Sequence, residues 1–167
     1  PQFISVQSAI QHSAIKVIKE SRHGLILGHA QGISLLKLDQ DFNVLDEVDL
    51  SRFAHVDLPR APIRDIYKDQ EHQIWWVASY GDGLAWLDLS DMNWPKAGRF
   101  DHLFKGAQRF LSGVLNIQDK QGKKTLWIQS NQGLIRLSTS KLYEWMKLGN
   151  TKAQAFDEDA LDTVALD

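Results

Sequence analysis

Along this chain, short apolar runs rich in Ile, Leu, Val and Trp alternate with polar turns, several of which carry glycine. The clearest stretch is 63–89. It holds an alternating run around Ile63 and Ile66, a run at 74–77 with two adjacent tryptophans, and a Gly-Leu start to 84–89. Turn material at 68–73 and 79–83 separates the three. Runs this short cannot sustain isolated helices. Their β-branched and aromatic content predicts strands.

The same pattern occurs at 15–39 and at 114–138. Gly32, Gly83 and Gly133, each just before the last apolar run of a unit, stand 51 and 50 residues apart. The starts of the middle runs, Leu25, Ile74 and Leu126, stand 49 and 52 apart. A period near 50 with several strands per unit predicts an all-β fold, a β-propeller segment of about three four-stranded blades within a larger propeller. On that reading residues 1–14 are the end of a preceding blade or a connection, with Phe3, Ile4 and Val6 as strand residues. The blades span 15–62, 63–113 and 114–150, and 151–167 start a further unit or form a tail. Fourth strands are expected at 42–48 and near 99–104. Leu142, Trp145 and Met146 fit one face of a helix, and 142–146 fit an outer strand equally well. Three units do not close a ring. Together with the start at Pro1, without an initiator Met or signal segment, this predicts a piece of a longer protein, whose exposed blade edges pair with missing blades or dimerise.

Composition narrows the function classes. Apolar residues make up 43% and charged residues 24%, as in a globular domain. A net charge of −2 with no basic stripe argues against nucleic acid as a partner. The chain has no cysteine, so disulfides, thiol catalysis and thiolate metal sites are excluded. His23 and His29 flank one predicted strand without a third ligand, so no metal or cofactor is expected. The acidic group Asp46, Glu47 and Asp49 reads as a solvated edge, because it lacks the spacing of a calcium loop. Gln121-Gly122-Lys123-Lys124-Thr125 is a hairpin turn and not a phosphate loop, since a strand follows it and Ile117 stands where the first glycine is required.

At Leu126-Trp127-Ile128, followed by Ser130 and Gly133-Leu134, the sequence resembles the two-component regulator propeller repeat, roughly I-x-x-I-x-x-D-x-x-G-x-L-W-I-G-T-x-x-G-L-x-R-L. The third unit adds Val114, Ile117, Asp119, Gly122 and Arg136-Leu137. The second supplies Ile63, Ile66, Asp69, Ile74-Trp75, Gly83-Leu84 and Leu87, and the first Ile15, Ile18, Glu20, Gly24, Leu25, Gly28, Gly32 and Leu36. Ile26 replaces the tryptophan in the first unit, His29, Ala78 and Ser130 hold the threonine position, and the second unit reads as two residues longer in its 79–82 turn. The resemblance implies the extracytoplasmic, periplasmic sensor region of a membrane-anchored bacterial signalling protein. A histidine kinase or diguanylate cyclase would follow the membrane anchor. The implied ligand is a small molecule, often a carbohydrate.

Aligned in this way, Trp75 and Trp127 share a repeat position and fill the space between blades. Trp76 and Trp86 are left as candidates for stacking on a sugar face. Tyr80 and Asp82, in the longer turn, are candidates for polar contacts. No acid recurs on the inner strands, which carry Lys16, Arg64, Asp65 and Asn116, so an enzyme is not expected. The expectation is a ligand-sensing segment, with a non-catalytic scaffold that binds protein as the alternative.

Overall fold

The computed structural model describes residues 14–100, 103–148 and 162–164. The fold is all-β, built from three four-stranded antiparallel sheets. Sheet 1 takes β1 (Val17–Ser21), β2 (Gly24–His29), β3 (Gly32–Leu38) and β4 (Val44–Asp49) in chain order. Sheet 2 takes β5 (Ile63–Asp69), β6 (Ile74–Ser79), β7 (Gly83–Asp88) and β8 (Lys96–Arg99). Sheet 3 takes β9 (Leu111–Gln118), β10 (Lys124–Ser130) and β11 (Gly133–Ser138), and its fourth strand is β12 (Asp162–Val164). Helix α1 (Thr139–Leu148) lies between β11 and β12 in the chain.

The sheets stack face to face, and sheet 2 is buried on both sides. On one side Trp75, Val77, Ala85 and Leu87 pack with Ile26, Ile33 and Leu35 of sheet 1. On the other, Ile74, Trp76, Ala78 and Leu84 pack with Val114, Leu126, Ile128, Ile135 and Leu137 of sheet 3. Every residue of β6 is therefore buried. A strand covered on both faces reads as a continuous apolar run and not as an alternation, which is why 74–78 is apolar throughout. Gly28 permits the close approach of sheets 1 and 2, because a Cβ there would lie 2.8 Å from the Ile63 side chain.

The hairpins correct the alignment of the second unit. His29 pairs with Gly32, Ser79 with Gly83 and Ser130 with Gly133. Counted back from these pairs, the residues in common register are Ile26, Trp76 and Trp127, and not Trp75 and Trp127. The partners agree, since Ile26 opposes Leu35, Trp76 opposes Trp86 and Trp127 opposes Arg136. A shift of one residue moves a side chain to the opposite face. Trp75 accordingly faces sheet 1, whereas Trp127 lies on the face of sheet 3 turned away from sheet 2. The 80–82 turn holds three residues where its counterparts hold two, so the second unit has one extra residue and not two.

Other boundaries also move. Strand β9 begins at Leu111, ahead of the expected Val114. Strand β8 ends at Arg99, and Phe100, Leu103 and Phe104 beyond it fill the core between sheets 2 and 3. Of the two readings of 142–146 the helix is observed, with Leu142 buried and Tyr143, Trp145 and Met146 packed on the same core. The stretch 162–164, expected in a tail or a further unit, instead completes sheet 3 by pairing with β11. The expected strand at Phe3, Ile4 and Val6 lies outside the described residues.

Candidate functional site

The turns 30–31, 80–82 and 131–132, together with the connectors 50–62 and 103–110, lie at one end of the sheets. The longer 80–82 turn organises this end. Tyr80 donates its N–H to the Pro62 carbonyl at 2.8 Å and forms a β-bridge with Phe110. Gly81 donates its N–H to the Arg109 carbonyl at 3.1 Å, with φ at +128°, where a side chain would be strained. Asn131 Nδ2 donates to the Tyr80 hydroxyl at 3.3 Å. The turn thus ties sheet 2 to the connector before it and to the one after it.

The exposed groups form a compact cluster. The Tyr80 and Phe110 rings lie 5.0 Å apart at 59°, and each residue is 36% exposed. The Arg64 guanidinium sits 5.0 Å from the Tyr80 ring centroid. At this distance the cation and the ring attract each other, and Arg64 itself remains exposed. Asp65, next in the chain, is occupied elsewhere. It accepts from the Ile66 N–H at 2.8 Å and the Val114 N–H at 3.0 Å, and lies 3.8 Å from Lys19 Nζ.

Asp82 does structural work in this turn. One carboxylate oxygen accepts from the backbone N–H groups of Arg60 and Ala61, at 2.9 and 3.0 Å. This pins the connector between sheets 1 and 2 and forms one wall of a cleft of about 240 Å³. An ion pair between Asp57 and Arg99, 2.8 Å long, lines the same cleft.

The four residues expected from sequence therefore separate. Trp76 is 0% exposed in the core between sheets 2 and 3 and offers no open ring face, which corrects its expected role as a stacking platform. Trp86, its cross-strand partner, is half-buried and packs against the same core, with its ring against Gly98. Tyr80 stands at the rim, and Asp82 supports it from behind. Arg64, Phe110 and Asn131 belong to the cluster but were not among the expected site residues. Their signal was indirect, since each is adjacent to the longer turn only through the fold.

A dense titratable cluster lies at the opposite end of sheet 2. The buried Asp69 carboxylate accepts from the Tyr143 hydroxyl at 2.6 Å, from Asn116 Nδ2 at 3.3 Å and from the Glu71 N–H at 3.0 Å. Lys124 Nζ lies 3.9 Å away and also pairs with Glu71. The His72 ring stacks on Tyr143 at 3.8 Å. Burial pushes the Asp69 pKa up, but the Tyr143 hydroxyl, the His72 and Glu71 N–H groups and the Lys124 charge outweigh it and hold the group below its ordinary 3.8. Burial, and then the hydrogen bond to Asp69, push the Tyr143 phenol well above its usual range. This cluster clamps α1 to sheets 2 and 3.

Among the described residues no three His, Asp or Glu side chains converge as a metal would require, and no helix is long and apolar enough to cross a membrane. Neither family models nor curated proteins match this chain.

Proposed function

We propose that this chain is a β-propeller segment whose role is to bind a small ligand, a carbohydrate in the first instance, as the sensing part of a bacterial membrane signalling protein. The observation that carries the reading is the repeated front-to-back stack. The first strands β1, β5 and β9 lie side by side, and equivalent turns gather at one end. The resemblance implies a ligand bound near the propeller axis or between blades, and a pocket needs an apolar surface with a few polar groups. At that end the chain presents two exposed aromatic rings, an outward cation and an amide. The placement of the parent protein outside the cytoplasm, anchored in the inner membrane, rests on the sequence resemblance alone.

A second observation supports a partner other than a ligand. On the open face of sheet 3, Leu115 is 51% exposed, Ile117 is 46% exposed and Trp127 is half-buried beneath Arg136. The corresponding face of sheet 2 is covered by sheet 3, so this face suits a further blade of the same protein. The scaffold alternative would use the same face for a different protein.

The functional reading is tested by titrating oligosaccharides into the full extracytoplasmic protein by calorimetry, with and without Tyr80→Ala. Saturable heat that the substitution weakens about tenfold or more supports it. Full affinity in the variant removes this end from the site.

A further inference from the structure

We propose that the Tyr80 turn is a recognition site for a small carboxylate attached to a ring with an apolar face. This rests on the ligand-binding reading above and specifies the chemistry of its ligand. Three observations converge. First, the turn is the one departure in length among three otherwise equivalent hairpins, and the extra residue places Tyr80 at the seam between sheets 2 and 3. Second, the site is rigid before any ligand arrives. The Tyr80 and Gly81 N–H groups are bound to the flanking connectors, the Asn131 N–H donates to the Phe110 carbonyl at 3.1 Å, and Asp82 holds the connector behind the turn. Third, the cations at the site lack ion pairs, while the carboxylates of Asp65 and Asp82 are taken up by backbone N–H groups. Among the described residues no carboxylate pairs with Arg64, and Arg109 Nε, on the connector bonded to Gly81, is buried without an acceptor.

The geometry then suggests the mode of binding. The exposed Arg64 guanidinium, 5.0 Å from the Tyr80 ring centroid, supplies a forked set of N–H donors that suits the two oxygens of a carboxylate. The angled walls of Tyr80 and Phe110 supply an apolar surface for a ring. Asn131 adds an amide beside the Tyr80 hydroxyl for a polar substituent. Two kinds of molecule share this chemistry, an aromatic acid and a sugar acid.

The test uses this chain and two matched pairs of probes: 4-hydroxybenzoate against 4-hydroxybenzamide, and glucuronate against glucose. Binding is followed by chemical-shift changes at the amides of Tyr80, Phe110 and Asn131. The expected result is that the acid of at least one pair binds about tenfold or more tightly than its neutral partner. Arg64→Gln abolishes that preference without changing the melting temperature, Phe110→Ala weakens both members of the pair, and Arg22→Gln, distant from the turn, changes neither. Whichever pair responds identifies the source. Equal binding of acid and neutral partner, or a preference that survives Arg64→Gln, overturns the carboxylate proposal while leaving a ligand site in place. Silence of all three amides with all four probes at about 20 mM also overturns it. The broader reading then falls only if the oligosaccharide titration is silent as well.

Discussion

Three tryptophans in nearly the same sequence context have three different surroundings. Trp76 is enclosed between sheets 2 and 3, Trp75 is 4% exposed against sheet 1, and Trp127 stands half-open on the outer face of sheet 3. Removing a fully buried Trp costs the transfer free energy of its ring plus the cavity left behind, about 3–5 kcal/mol. A half-buried ring with one face in solvent loses mainly an area term, about 1 kcal/mol. Urea melts should therefore show Trp76→Ala far less stable than Trp127→Ala. Equal losses would mean that the two rings do not occupy the environments described. The sequence motif pointed to the opposite grouping, because Ile74-Trp75 imitates Leu126-Trp127 when read from the start of the strand. The pairing is set from the turn, and one extra turn residue shifts the phase.

The individual strands were legible from short apolar runs bounded by turn residues, and eleven of the observed strands fall in or beside runs read from sequence. The fourth strands were less so. Edge strands such as β4 and β8 carry weak alternation, and β12 reaches sheet 3 only after α1, a connection no local pattern reveals. The exposed half of the candidate site was hidden for a related reason. Tyr80 was legible through the length of its turn, whereas Phe110 and Asn131 join it by long-range pairing. Helix α1 is clamped by Asp69, the residue that matches the aspartate of the repeat. Because the Asp69 pKa is lowered in the fold, its stabilising effect is full above its ordinary 3.8 and is lost as pH falls through the lower native value. Asp69→Asn should cost about 2–4 kcal/mol at neutral pH, since Lys124 and Tyr143 lose a charged partner. Thermal melts from pH 7 downward should show the gap between variant and parent closing below about pH 4. A gap that stays constant across that range would assign the stabilisation to neutral packing.

At the scale of the whole molecule, one rule accounts for the three sheets: each presents a face in the register of Ile26, Trp76 and Trp127 for the apolar side chains of a following sheet. The rule is satisfied twice. On the third occasion it leaves Leu115, Ile117 and Trp127 facing outward, an apolar face of the kind that marks an interaction surface. We propose that a further sheet of the same kind covers that face, as it would in a larger propeller. Hydroxyl-radical footprinting, read residue by residue on this chain alone and within its full polypeptide, tests this most directly. The account predicts that Trp76 is protected in both, whereas Trp127 is modified in the chain alone and protected in the full polypeptide. Modification of Trp127 to the same extent in both, or of Trp76 in either, would contradict it.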